Sequence, residues 1–551
     1  MYVTASGGVV GAAAANSAIQ LTSALGACGS LPASIVVNEL TSVASAYALS
    51  GFAVPSTGTA ATVAFQGKSP GLDQAFKTLT NLTVTSTGVF ETTGPETNKA
   101  QVQQTLNTLA NGMAACDASV AGACAELFSC ASVKATFVAT GQACNGGTSP
   151  AASDTLSAAL VVTNFAGTVA LQGIFDVGTS PGSPYVPVLA ASPNDWTLPL
   201  VYTQPNFGPL AIDAAGHVWV LGPDPSAPGG TQYPTLAVIE LDANFNLLSP
   251  SATGFNGGGV ATFDKSDLSN LAIDASGNVW IGGSSTVIAE LNSAGAAVSP
   301  PGGWSTGAPG LDGTAGVAID SAGDAWFASG QSAATVFEMS PSGTPTPSGG
   351  YTASNCPCNG IAADPTGNIW TVSNVGLAEI IAGVQGSILS PPGAYNHDTL
   401  FNSIAADASG TLWIADQHNH GMWEYTASAT TPKWLPTSGG PFPNVAAQNN
   451  PSHPGRVAID GAGHKWISNQ STATSGPPAS SLTEYSADGS TNLSPTDGFG
   501  SGSIGGAYSV AIDGSGNVWV TAGGTSIVQF VGAAAPTKNP IAAAVTSSFT
   551  P

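Results

Sequence analysis

At 551 residues the chain has material for about two to four domains. Only 7% of its residues are charged, 9 Lys+Arg stand against 32 Asp+Glu, the formal net charge is −23, and the single Arg is Arg456. So few basic groups cannot neutralise phosphates, which argues against nucleic acid and anionic membranes as partners. A surface of Ser, Thr, Asn, Gly and Ala suits adhesion and self-association better.

Residues 1–184 carry no repeat and read as a small, Ala-rich, mainly helical domain pinned by disulfides. The start, Met1-Tyr2-Val3-Thr4, lacks the basic region and long apolar core of a signal peptide, so a mature, already processed chain is expected. No uninterrupted apolar run of about 18 residues exists, so no transmembrane segment is expected. Val36, Val37, Leu40, Val43, Ala44, Tyr47 and Ala48 recur at helical spacing. A second helix is predicted from Gly71, with Leu72, Phe76 and Leu79, and a third from Lys99 to near Cys116. A fourth follows the N-cap Ser153-Asp154 and carries Leu156, Leu160, Val161, Phe165 and Leu171. Segments 52–67 and 82–92 look extended.

The chain holds 7 Cys. Their close spacing in Gly- and Ala-rich sequence predicts disulfides and an oxidising, extracellular or cell-surface location. The expected pairs are Cys116–Cys124 and Cys130–Cys144, with Cys356–Cys358 closing a small ring and Cys28 left unassigned.

The Pro-rich stretch from Pro184 to Leu200 leads into seven copies of one unit. Its Asp falls at Asp213, Asp274, Asp320, Asp364, Asp407, Asp460 and Asp513. Gly follows at Gly216, Gly277, Gly323, Gly367, Gly410, Gly463 and Gly516. Trp follows at Trp219, Trp280, Trp326, Trp370, Trp413, Trp466 and Trp519, so 7 of the chain's 11 Trp occupy one repeat position. Each unit reads as strand, tight turn, strand. The carboxylate of an Asp folds onto nearby backbone N–H groups, and Gly takes φ > 0. A β-rich unit recurring at intervals of this size predicts a β-propeller with one blade per repeat. The fold class is therefore mainly β with an α-rich N-terminal domain: a seven-bladed propeller with four-stranded blades over residues 185–535. A further strand follows most Trp, as in Val287-Ile288-Ala289-Glu290-Leu291, with Glu beside apolar residues in the alternation of a half-buried strand. The last repeat offers Ser526-Ile527-Val528-Gln529-Phe530 and no obvious fourth strand, so residues 185–203 are expected to close the ring. Residues 536–551 form a tail, a candidate interaction strand.

The repeat resembles NHL-type and virginiamycin B lyase-type propeller repeats of secreted bacterial proteins. The resemblance rests on the apolar–Asp–x–x–Gly–Asn–apolar–Trp core, over about residues 200–532. It implies the fold. It implies little about activity, since such propellers include platforms, lyases and scaffolds. A lyase of this type would need a His and acidic groups around a metal at one mouth, and no such set maps onto this chain. Asp416, His418 and His420 have a metal-like alternation, but an NHL-like turn accounts for them equally. In the adjacent pair His397-Asp398, the two side chains would point to opposite faces of a strand. His217 and His464 occupy turn positions. The seven Asp read as turn formers and the Trp as packing between blades. No catalytic residue, metal or cofactor is expected. The first expectation is an extracellular structural protein that associates with copies of itself, as in a filament or surface layer. The alternative is a secreted propeller binding a glycan or peptide at its central mouth.

Overall fold

In a computed structural model of the chain, the Asp-to-Trp repeats form seven antiparallel sheets. The structure describes the chain except residues 9–15, 27–30, 56–62, 119–121, 134–143, 145–147, 204–207, 224–235, 264–269, 284–285, 307–310, 312, 331–334, 348–349, 355, 382–383, 392–399, 428–432, 436–441, 444–451, 472–479, 524 and 542–551. Cys28, the His397-Asp398 pair and the last residues of the tail lie outside the described residues.

Blade 1 contains Leu210–Ile212, Val218–Pro223 and Leu236–Leu241, three strands among the described residues. The inner strands of blades 2 to 7 are Asn270–Ile273, Thr314–Ile319, Cys358–Ala363, Phe401–Ala406, Ser452–Ile459 and Ala507–Ile512. Blade 7 takes its outermost strand from Pro199–Thr203, paired with Ser526–Phe530 from Pro199↔Phe530 to Thr203↔Ser526. Joining the two ends of the ring in one sheet leaves no open edge at the seam.

One row of residues explains how the blades stack. Across each sheet the inner-strand Ala, the Trp and a strand-three residue stand directly opposite one another, as in Ala211↔Trp219↔Glu240 and Ala511↔Trp519↔Gln529. Directly opposed residues share a face, so the small Ala makes room for the indole. The indole then packs on the next blade. Trp219 shares a buried cluster with Leu271, Ile273 and Ile281, and Trp370 with Ile404, Leu412 and Ile414.

The N-terminal domain contains six helices among the described residues: α1 Glu39–Leu49, α2 Gly71–Thr80, α3 Lys99–Asp117, α4 Ala123–Cys130, α5 Thr155–Asn164 and α6 Leu171–Gly178. Asn38 and Asp154 cap α1 and α5, each accepting the N–H of the residue three further on at 2.8 Å. The fourth helix expected from the sequence is broken: it ends at Asn164, and Leu171 opens a separate helix. Gly167 lies in the break, where a Cβ would meet Pro495 and Phe499 of blade 6.

Helix α1 is buried from Leu40 to Leu49. Its hydroxyls complete a sheet edge. Ser42 Oγ accepts Thr22 N–H at 2.8 Å, Ser45 Oγ accepts Ala24 N–H at 3.1 Å, and Thr41 Oγ1 donates to Thr22 O at 2.9 Å. Strand Gln20–Ala24 therefore has α1 on one edge and Tyr2–Ser6 on the other, paired from Tyr2↔Ala24 to Ser6↔Gln20. Residues Val3 to Ser6 are exposed, and the far edge of that strand has no strand partner among the described residues.

The domain docks on the repeat turns of blades 7 and 1 and, at Gly167, on Pro495 and Phe499 of blade 6. Gly71 lies against Gly514, Gln74 against Gly216, and Thr78 Oγ1 takes Asn517 Nδ2 at 3.3 Å. Side chains of both parts join in one apolar core, with Tyr47, Leu106 and Leu160 beside Val518, Ile527 and Phe530.

Candidate functional site

The seven Asp lie at one end of the inner strands, in the turn that leads to each Trp strand. In every repeat, Oδ1 accepts two backbone N–H groups, from the residues two and four further on. For Asp364 these are Thr366 at 2.8 Å and Asn368 at 3.0 Å. Oδ2 accepts the indole N–H in six repeats, at 2.8 Å for Trp519 and 3.1 Å for Trp280. The following Gly holds φ between 79° and 90° in all seven, a conformation that a side chain would strain. These carboxylates and indoles are used up by the fold.

Blade 6 departs from the pattern. Asp460 Oδ2 accepts the N–H of Ala535 at 3.0 Å, and the buried indole N–H of Trp466 has no partner. The chain after blade 7 has taken that acceptor.

Two clusters were not foreseen from the sequence. In blade 1, His217 Nδ1 lies 2.8 Å from Glu240 and 3.5 Å from Asp213. In blade 6, His464 Nδ1 lies 2.7 Å from Glu484. The ligand-type atoms of Asp213, His217 and Glu240 lie within 4.8 Å of one another, as do those of Asp460, His464 and Glu484. Hydrogen bonding of the imidazole to Asp213, then to Glu240, pushes the His217 pKa up to about 9. At neutral pH it is therefore a cation that donates to carboxylates, and a metal would first have to displace that proton. Burial pushes Glu484 up to about 7 against the opposing pull of His464, whose own pKa Glu484 raises. Both clusters flank the docked N-terminal domain. A signal was available: His two residues before the repeat Trp, and Glu opposite that Trp.

Asp416 is fully buried and forms a second hairpin turn. It accepts His418 and Asn419 N–H at 3.1 Å, Asn419 Nδ2 at 2.7 Å and Trp423 Nε1 at 2.9 Å. His418 is exposed, and His420 stacks on His453 with ring centroids 5.1 Å apart. The three residues of the D-x-H-x-H stretch are not brought together.

Down the middle of the propeller runs an apolar chamber of about 270 Å³, lined by the inner strands. On the Asp-turn face its mouth is covered by Asn539, Pro540 and Ile541. Asn539 Nδ2 donates to Ile512 O at 3.2 Å, and Thr537 N–H to Asp513 O at 3.1 Å. The first residues of the expected tail thus lie on the propeller. At the opposite mouth Arg456 reaches from blade 6 to blade 3 and donates to Ala315 O at 3.2 and 3.3 Å.

The structure joins Cys116 to Cys124, Cys130 to Cys144 and Cys356 to Cys358. Gly173 of α6 packs on the sulfurs of Cys130 and Cys144. No helix among the described residues is long and apolar enough to cross a membrane.

The molecule is a seven-bladed β-propeller carrying a disulfide-containing α-rich domain docked on three of its blades. No family model matches the chain, and no curated protein matches it. Among solved structures, it is similar to a catalytically inactive virginiamycin B lyase from Staphylococcus aureus with quinupristin. That likeness has 13% identity and a TM-score of 0.40, over 60% of this chain and 98% of that one. It is also similar to PorZ, a surface component of the type-IX secretion system of Porphyromonas gingivalis, with 16% identity and a TM-score of 0.40 over 64% and 49% of the two chains. A third is YCF48 from Cyanidioschyzon merolae, with 14% identity and a TM-score of 0.38 over 60% and 96%.

Proposed function

We propose that the protein is a non-catalytic extracellular building block that associates with copies of itself by strand addition. The exposed outer edge of Tyr2–Ser6 carries this reading. Its partner strand is sealed on the inner side by the hydroxyls of α1, so growth of the sheet is open in one direction only. An unpaired edge is a template for another chain. The occupant is the C-terminal segment of a second copy, whose Val545-Thr546-Ser547-Ser548-Phe549 is rich in β-formers. Because donor and acceptor are different surfaces, the contact is head-to-tail and builds rings or filaments.

An oxidising extracellular location is supported by the three disulfides. A charge content of 7% lowers the desolvation cost of close packing between copies. A chain segment over one mouth of the channel and the Arg456 side chain across the other disfavour a glycan or peptide site there.

The test is light scattering and negative-stain electron microscopy at rising concentration, on the full chain and on a chain lacking residues 542–551. Polymers or rings from the full chain, lost on truncation, are expected. A full chain that stays monomeric at high concentration would overturn the reading.

A further inference from the structure

We propose that the propeller channel binds a small amphiphilic monocarboxylate, with its alkyl tail in the apolar chamber and its carboxylate on Arg456. A chain with 32 acidic residues and a single Arg places that Arg at a channel mouth. Among the described residues no carboxylate pairs with it. Its two terminal nitrogens converge on one neutral carbonyl, Ala315 O, at 3.2 and 3.3 Å, beside the Tyr508 ring at 6.0 Å. The planar fork of a guanidinium matches two carboxylate oxygens far better than a single carbonyl.

Ala315 O does not depend on Arg456. Asn270 Nδ2 from blade 2 donates to it at 3.0 Å. Arg456 can therefore turn to a ligand without orphaning a backbone acceptor.

Behind the guanidinium the chamber of about 270 Å³ is walled by residues such as Leu210, Ile273, Ile361, Val457 and Val510, with Pro540 and Ile541 at the far end. Apolar cavities of this kind accept apolar guests. Three residues of each inner strand line it, which gives a depth of about 10 Å, close to the length of extended octanoate. A sugar or a peptide would lose its hydration there without compensation. The site asks for one charged end and one greasy end, in that order along the axis.

Isothermal titration of the full chain with octanoate, acetate and octan-1-ol separates the two contributions. Octanoate is expected to bind one per chain, at least tenfold tighter than acetate or octan-1-ol. Arg456→Gln is expected to weaken octanoate at least tenfold and to leave octan-1-ol unchanged. If octanoate does not bind, or binds no tighter than either control, the proposal fails. An unchanged octanoate affinity in a folded Arg456→Gln also overturns it. Should that variant not fold, the three ligands on the unaltered chain still decide. The titration reads the same on a monomer or a polymer, so it stands or falls apart from self-association.

Discussion

Replacing the repeat Trp by Phe should cost much less in blade 6 than in blade 4. Trp370 and Trp466 are equally buried, each 1% exposed. Both changes remove a similar area of indole. The hydrogen bonding differs. Trp370→Phe takes away an N–H···O⁻ bond of 3.0 Å to Asp364, and bonds to charged groups contribute about 1.5–3 kcal/mol. Trp466 has no such bond, because Ala535 occupies Asp460 Oδ2. Its removal instead relieves a buried unpartnered N–H that costs about 1–3 kcal/mol. The two variants should thus differ by about 3 kcal/mol, with Trp370→Phe the weaker protein. Trp280→Phe, whose bond to Asp274 is 3.1 Å, is the second hydrogen-bonded control and should behave like Trp370→Phe. Urea unfolding followed by far-ultraviolet circular dichroism measures the difference without relying on Trp fluorescence. Equal losses in blades 4 and 6, or a larger loss in blade 6, would refute the reasoning.

His217 should tie stability to alkaline pH. Its pKa rises from 6.5 to about 9 on folding, so its contribution is fully present below 6.5 and lost as pH climbs through about 9. The gap in melting temperature between the parent and His217→Asn should shrink over that window, and a flat gap would count against the pair with Glu240. Gly71→Ala would push a Cβ into the Gly514 backbone. About 2–3 kcal/mol of docking should be lost, read as faster hydrogen exchange in α2 and in the blade 7 turn. Cys130→Ser with Cys144→Ser opens a link between residues 14 apart. About 3 kcal/mol of stability should go with it, seen as earlier loss of the helical signal.

The propeller was legible because every repeat has to solve the same turn. Only Asp places one carboxylate on two N–H groups and an indole at once, and only Gly rests easily at φ of 79–90° three residues later. The pairing of Tyr2–Ser6 with Gln20–Ala24 was hidden. Its second edge is closed by Ser and Thr of a helix, and no apolar alternation marks it. The break after Asn164 sets Gly167 against Pro495, far along the chain. The His–Glu pairs need strand register between residues 23 and 20 apart. Arg456 meets Ala315 over a separation of 141 residues. Local chemistry fixes turns. The candidate sites come from distances that only the closed ring brings together.

Where α2 covers blade 7, the repeat itself has changed. Six blades set Glu opposite the Trp; blade 7 sets Gln529. Gln529 is fully buried under α2, with Nε2 3.5 Å from Thr78 Oγ1. In blades 3, 4 and 5 the Glu is half-buried, in blades 1 and 6 it meets a His, and in blade 2 Glu290 accepts the Trp304 indole N–H at 3.4 Å. Even so, burial pushes Glu290 up to about 7. Under the domain a carboxylate would be cut off from water entirely. Restoring the repeat by Gln529→Glu should therefore weaken the protein by about 3 kcal/mol or more at neutral pH. The folded state would favour the protonated acid, so the penalty should be small near pH 4 and grow as pH rises and the unfolded chain ionises. The same change is a loss of one amide hydrogen bond if the docked domain leaves water at this site. Melting temperatures of parent and variant across the acidic to neutral range distinguish the two. A penalty that does not change with pH would mean that the interface is wet, and that the domain rests on blade 7 without sealing it.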